Sequence, residues 1–277
     1  MDGGAGGPVA WTPRSERVRI DGRHWAKVRP DLGVQTTVQT TGPRDYEGDA
    51  MLNLPSPPGF RCLHPDLPIT VYQRQLPHWR QAGATYFVTF RLADSLPQEK
   101  LQLLQRMRVE WERTHPHPRS DRDWEEYARE VTGKAEAWLD DGYGACQLRD
   151  PRWVKDLQER LHHFQDVRYF VSCWVIMPNH CHAVIRPFEG YPLEDSLQAM
   201  KGLVSRHINA AEGSSGSLWQ AESYDRIIRD DEHLYRVVQY IGRNPSQAGL
   251  PRESWHRWLH PDWEACGWRF EDEVRRP

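Results

Sequence analysis

Periodicity in the apolar positions divides the chain into an aperiodic start and a densely patterned remainder. Up to about residue 68 no sustained period occurs, and runs such as M-D-G-G-A-G-G-P and N-L-P-S-P-P-G-F-R-C punctuate the segment. A stretch of this kind cannot bury enough apolar surface to offset its chain entropy, so 1–68 reads as an irregular or disordered extension, dispensable for chemistry. Regular patterns begin near Leu76. Ala84–Leu92, A-T-Y-F-V-T-F-R-L, is aromatic and β-branched and reads as a buried strand. Pro97 opens a helix with Leu101, Leu104, Met107 and Trp111 at helical spacing. Residues 114–150 are polar and read as an insertion, with a helix around Trp124 and a glycine-bearing loop before Pro151. Pro151 starts a helix with Val154, Leu157, Leu161 and Phe164 on one face.

The next part carries the clearest signals. Arg168–Met177 reads as a strand, Pro178-Asn179 as a tight turn, and His180–Arg186 as the antiparallel return. Leu197, Met200, Leu203, Val204 and Ile208 share a face of a helix over Leu193–Ala211, and Trp219–Arg229 reads as extended. A last helix, capped by Asp230 or Asp231, runs to Asn244 and is stopped by Pro245. The order is strand, helix with insertion, hairpin, helix, strand, helix. This predicts an α+β domain over 69–250, with a ferredoxin-like, split β-α-β-β-α-β antiparallel sheet and helices on one face, then a C-terminal tail over 251–277.

Composition narrows the setting. The chain has 277 residues, a net charge of −3, and Trp 13, Tyr 10 and Phe 7 as core anchors. Mean hydropathy of −0.79 and the lack of a membrane-length apolar run point to a soluble protein without a signal peptide. Five scattered cysteines without C-x-x-C fit a reducing cytoplasm better than a disulfide framework. Basic residues are mostly arginine, which suits phosphate recognition and equally follows from a GC-rich genome.

Candidate chemistry begins with V-I-M-P-N-H-C-H-A-V-I, Val175–Ile185. Residues two apart on a strand share a face, so His180 and His182 aim together while Cys181 points into the core. Two neutral imidazoles on one face can chelate a divalent ion; a surface pair on a hairpin fits the same pattern. In the last helix Tyr240 and Asn244 lie four residues apart, stacked on one face that can cover the histidines. A phenol beside a cation is a possible nucleophile, and an amide oxygen is an acceptable ligand for Mg²⁺ or Mn²⁺. A half-buried helix aromatic followed by a C-cap is the structural alternative.

With these residues in place the chain resembles a known family. M-P-N-H-C-H, followed about sixty residues on by Y-I-G-R-N-P-S-Q-A-G-L, is similar to the single-tyrosine transposases of the His-hydrophobic-His family, above all the REP-associated tyrosine transposases. The joining stretch L-W-Q-A-E-S-Y-D-R-I-I-R-D-D-E-H-L looks like that family's linker, and the resemblance spans roughly Leu76 to Leu250. It implies that His180, His182 and Asn244 hold a divalent metal, Mg²⁺ or Mn²⁺, and that Tyr240 is the nucleophile. It also implies cleavage and rejoining of single-stranded DNA beside palindromic repeat hairpins through a 5′-phosphotyrosine link. The implied protein is a cytoplasmic, nucleoid-associated monomer or homodimer. Cys181 departs from the bulkier aliphatic residue usual between the histidines, and Tyr224 and Tyr235 lie close enough in sequence to compete as nucleophiles.

Beside that motif, Arg226, Arg229 and Arg243 are candidates to hold flanking phosphates, and Trp219 to stack an unpaired base. Two other classes share these residues: a metal-dependent phosphodiesterase that uses water, with Tyr240 structural, and an inactive nucleic-acid-binding module.

Overall fold

In the computed structural model the described residues are 54–73, 77–116, 123 and 126–274, together with three short strands nearer the N-terminus. Those strands are β1 (Glu16–Val18), β2 (Ala26–Lys27) and β3 (Thr36–Thr37). β1 extends a small sheet with β4 (Ile69–Gln73) and β5 (Pro77–Arg80), and β2 pairs with β3. Most of the segment expected to be irregular lies outside the described residues, as does Trp124.

The central sheet contains β6 (Tyr86–Arg91), β7 (Tyr169–Ile176), β8 (His180–Pro187), β9 (Tyr224–Ile227) and β10 (His256–Leu259), in the spatial order β10-β7-β8-β6-β9. All neighbours are antiparallel. Counting β6 to β9 as strands one to four gives the order 4-1-3-2 of the split β-α-β-β-α-β plan, as the sequence predicts. Between β6 and β7 come α1 (Gln98–Thr114), α2 (Gly133–Asp140) and α3 (Pro151–His163). α3 starts where Asp150 accepts a hydrogen bond from Arg152 N and Pro151 occupies the first turn. α4 (Leu193–Glu212) links β8 to β9.

The two repeat helices share one face. Trp153, Val154, Leu157 and Leu161 of α3, with Leu197, Met200, Val204 and Ile208 of α4, close over Tyr86, Val88, Phe90, Cys181, Ala183 and Ile185. The additional helix α5 (Asp231–Gln247) takes the opposite face, where Leu234, Val237, Val238 and Ile241 meet Phe87, Cys173, Val175 and Val184. A bulge between Val171 and Cys173 shifts β7 by one residue, which sends Phe170 and Cys173 to the same side.

Several expectations change. α5 runs through Pro245 to Gln247 instead of stopping at Asn244. A proline in a last turn forfeits one backbone bond, and Ala248 N still reaches Asn244 O at 3.0 Å. Of Trp219–Arg229 only Tyr224–Ile227 is a strand, with an isolated bridge joining Leu92 and Trp219. The segment after 251 is built into the fold. β10 adds the fifth strand beside β7, and Trp255, Trp263, Trp268 and Phe270 complete the α5 core, supported by α6 (Pro261–Ala265) and α7 (Glu271–Val274). Phe270 packs so closely on α5 that a Cβ at Gly242 would lie 2.7 Å from its ring, which only glycine permits. Residues 54–68 also pack on this core: Trp263 and Trp268 donate their indole N–H groups to Pro58 O and Pro55 O.

Candidate functional site

β8 carries His180 and His182 on the α5 face, opposite Arg91 and Thr89 of β6. Both imidazoles are buried, at 1% and 0% exposure, which removes the surface-pair alternative. Each has its Nδ1 occupied. Asn179 Nδ2 donates to Leu139 O and Tyr143 O, which fixes Asn179 Oδ1 as an acceptor; His180 Nδ1 donates to it at 2.8 Å. His180 Nε2 therefore carries a bare lone pair. His182 Nδ1 lies 2.8 Å from Thr89 Oγ1, a hydroxyl that can serve either tautomer. The two Nε2 atoms face each other at 3.1 Å. Burial holds His180 down at about 3 and His182 well below the ordinary histidine value, so neither is cationic near neutral pH.

α5 lays Tyr240 and Asn244 over this pair, as their spacing predicts. The Tyr240 hydroxyl is 3.4 Å from His182 Nε2, and Asn244 Nδ2 donates to it at 3.3 Å. Phe87 fixes the arrangement from below: its ring stacks on His182 at 5.4 Å between centroids and meets Tyr240 edge-on at 5.9 Å. Asn244 is buried and its Oδ1 has no hydrogen-bond partner. The acceptors that a cation would find are thus His180 Nε2, His182 Nε2 and Asn244 Oδ1. Among the described residues no group of three or more His, Cys, Asp and Glu side chains forms a metal cluster.

The insertion contributes two carboxylates that the sequence reading missed. Glu136 of α2 stands near enough to the Tyr240 hydroxyl for its charge to act there, and Asp140, one turn on, faces Asn244 with its buried Oδ1 unpartnered. Burial, followed by the negative charge of Glu136, raises the Asp140 carboxyl to about 7; burial also raises Glu136, against the pull of Arg226. Burial, then Glu136 and Asp140, push the Tyr240 phenol well above its usual range. The protein's own groups thus favour the protonated phenol. Two arginines flank the histidines. Arg226 of β9 lies over the Phe87 ring at 5.1 Å with its Nε buried and unpartnered, and Arg91 donates to Ser95 Oγ while burial lowers it to about 10.

Of the proposed phosphate holders, only Arg226 is brought to the site. Arg229 sits at the start of α5, where its N–H meets His233, and Arg243 turns to Glu271 at 3.6 Å. Trp219 offers no face to a base: it is 3% exposed, donates to Lys201 O and meets Phe90 edge-on. Tyr235 is directed to the C-terminal segment, where it donates to Glu271 Oε1 at 2.5 Å and packs on Trp268. Tyr224 pairs with Thr89 across β9 and β6, and burial raises its phenol. The missed residues left faint signals: Asn179 and Thr89 sit in recognised strand and turn segments, and Glu136 and Asp140 share the i,i+4 spacing of a helix face.

No family model matches the chain, and neither does any curated protein. Among solved structures, one described as "Structure of the REP associates tyrosine transposase bound to a REP hairpin" aligns over 65% of this chain and 77% of that chain, at 16% identity and a TM-score of 0.33. A likeness at that level does not decide the function, which has to be argued from the site.

Proposed function

We propose that the chain is a metal-assisted tyrosine strand transferase that cleaves and rejoins single-stranded DNA beside palindromic repeat hairpins. The observation that carries this reading is the convergence of two neutral imidazole Nε2 atoms, an orphaned amide oxygen and a phenol hydroxyl, drawn from β8 and α5. The donor set fits a divalent cation: ligand bonds of about 2.1 Å meeting at about 90–110° separate two nitrogens by about 3.0–3.4 Å, and the imidazoles stand 3.1 Å apart. His180, His182 and Asn244 would hold Mg²⁺ or Mn²⁺, which when bound supplies positive charge to a non-bridging phosphate oxygen.

The chain's own groups do the rest. The Tyr240 hydroxyl gives up its proton to solvent as its oxygen forms a bond to phosphorus, the bond from phosphorus to the 3′-oxygen breaks, and the 3′-oxygen takes up a proton from solvent. Phe87 and Asn244 hold the phenol in line, and Arg226 offsets phosphate charge. The phosphotyrosine stores the bond for rejoining, so no water attacks. Incubation with Mn²⁺ and single-stranded hairpin DNA, followed by a denaturing gel, tests the reading. A 5′-linked protein–DNA adduct is expected; nicked product without an adduct would mean that water is the nucleophile, and binding without either would mean an inactive module.

A further inference from the structure

The alternation that points His180 and His182 at α5 acts across the ladder as well, so Thr89 and Arg91, their Cα partners in β6, stand on the same face. Beside them, between β6, the first half of α1 and the insertion, lies a cavity of about 340 Å³, within the range of small-ligand sites. Leu101 and Leu104 of α1, Val131 and Leu139 of the insertion, and Leu96 give it apolar walls. Thr89 joins it to the site: its hydroxyl lies 2.8 Å from His182 Nδ1, and the same residue lines the cavity. Polar groups are few, chiefly the amides of Gln105 and Gln220 and the guanidinium of Arg91. Arg91 is half-buried, donates to Ser95 Oγ at 3.0 Å and has no carboxylate partner among the described residues.

We propose that this cavity seats an unstacked nucleobase, from a nucleotide next to the scissile phosphate. The proposal rests on the reading of the site as one that works on single-stranded DNA. A base that leaves its stack loses contact on both faces, and proteins that extrude one restore it with apolar or aromatic walls and a few hydrogen bonds to the base edge. The cavity offers both. Its leucines and Val131 can cover the faces of a ring, and each glutamine amide carries donors and an acceptor for the edge. Position decides the ligand class. A base is tied to its phosphate through a single sugar, and a single side chain, Thr89, is shared by the cavity and the histidines. A guanidinium without a counter-ion at that boundary suits a phosphate, so Arg91 holds the phosphate of the seated nucleotide. The carboxylates of the cavity do not obstruct this: Glu222 is turned to His78 at 2.9 Å, and Glu136 lies at the Tyr240 end. The insertion, which supplies Val131 and Leu139, becomes one jaw of the seat.

The test moves a single abasic position through the single-stranded flanks of a hairpin oligonucleotide. Kd is measured for wild type, Leu104→Trp and Gln105→Trp, and adduct formation with Mn²⁺ is read alongside. In wild type one position, beside the cleavage point, should bind about 10–100-fold more weakly when its base is missing, the range for a base held by stacking and apolar contact. Both tryptophan variants fill the cavity, so they should bind intact DNA more weakly by about that factor and no longer sense the missing base. Gln105 is exposed on α1, so its variant serves if Leu104→Trp fails to fold. No sensitive position, or an abasic penalty that persists in the filled variants, overturns this proposal alone. A sensitive position without any adduct from wild type overturns the reading of Tyr240 and keeps the seat. No binding of single-stranded hairpin DNA by wild type overturns the two together.

Discussion

Along β8, Cys181, Ala183 and Ile185 enter a core closed by α3 and α4, while His180, His182 and Val184 face α5. Both sides are buried, yet their polar content differs. The α3–α4 side is filled by aliphatic and aromatic groups, and the polar atoms of Tyr86, Tyr169, Trp174 and Trp219 all find hydrogen-bond partners. The α5 side encloses two imidazoles, an asparagine, a phenol and two carboxylates from the insertion, with an amide oxygen left unpartnered. Burying such groups costs stability unless each is satisfied. The α5 face carries its own apolar core around Leu234, Val237, Val238, Ile241, Trp263 and Trp268 beside the polar cluster, so the contrast separates, within one buried layer, residues that hold the sheet together from residues placed for chemistry.

The sharpest way to break that contrast is Tyr240→Phe. It keeps the ring against Phe87 and removes one oxygen, so adduct formation should fall by at least about 10³, with hairpin binding and unfolding midpoint unchanged. A stability loss of several degrees with full activity would move Tyr240 to the structural side. Next in size is His180→Ala, expected to lower cleavage by about 10²-fold or more. Mn²⁺ should raise the melting temperature of wild type and fail to do so in this variant; equal shifts in both would remove the histidines from metal binding.

On the other face, Leu157→Ala should cost about 2–5 kcal/mol in denaturant unfolding, because a fully buried aliphatic leaves a cavity. Its adduct rate under folding conditions should stay within a few-fold of wild type. Removal of residues 1–68 should cost roughly 2–4 kcal/mol, at about 1 kcal/mol per hydrogen bond, while a chain beginning at Leu54 should unfold like the full chain over this core. The bonds at stake include the two indole contacts above, Thr85 N to Arg61 O at 2.9 Å, and Leu63 N to Ile228 O at 3.0 Å.

The smallest effect concerns pH. His78 bridges Glu222 and Asp225 at 2.9 and 2.7 Å; burial opposes its charge, but the two carboxylates prevail and raise its pKa above 6.5. A raised folded value adds stability that is complete below the unfolded pKa and is lost as pH rises through the folded one. Chemical unfolding of wild type and His78→Gln should therefore differ by on the order of 1 kcal/mol at pH 6 and converge at pH 9. A gap that widens with pH would contradict the ion-pair role.

Much of this molecule was written in its periodicities. A strand alternates faces every residue and a helix every three or four, so the sheet plan, the common face of His180 and His182, and the stacking of Tyr240 on Asn244 followed from local pattern alone. The same locality explains the errors. Whether α5 stops at Pro245, whether residues 54–68 and 251–277 are peripheral, and whether Trp219 is free to stack are settled by what packs against them, and those partners lie far away in sequence. Glu136 and Asp140 show the limit most clearly. Their spacing marks one helix face, but a polar helix in an insertion carries no mark of what it will cover. Only the folded chain brings α2 onto α5, because the contact joins residues about a hundred positions apart, and it alone decided that two carboxylates would act on the phenol of Tyr240.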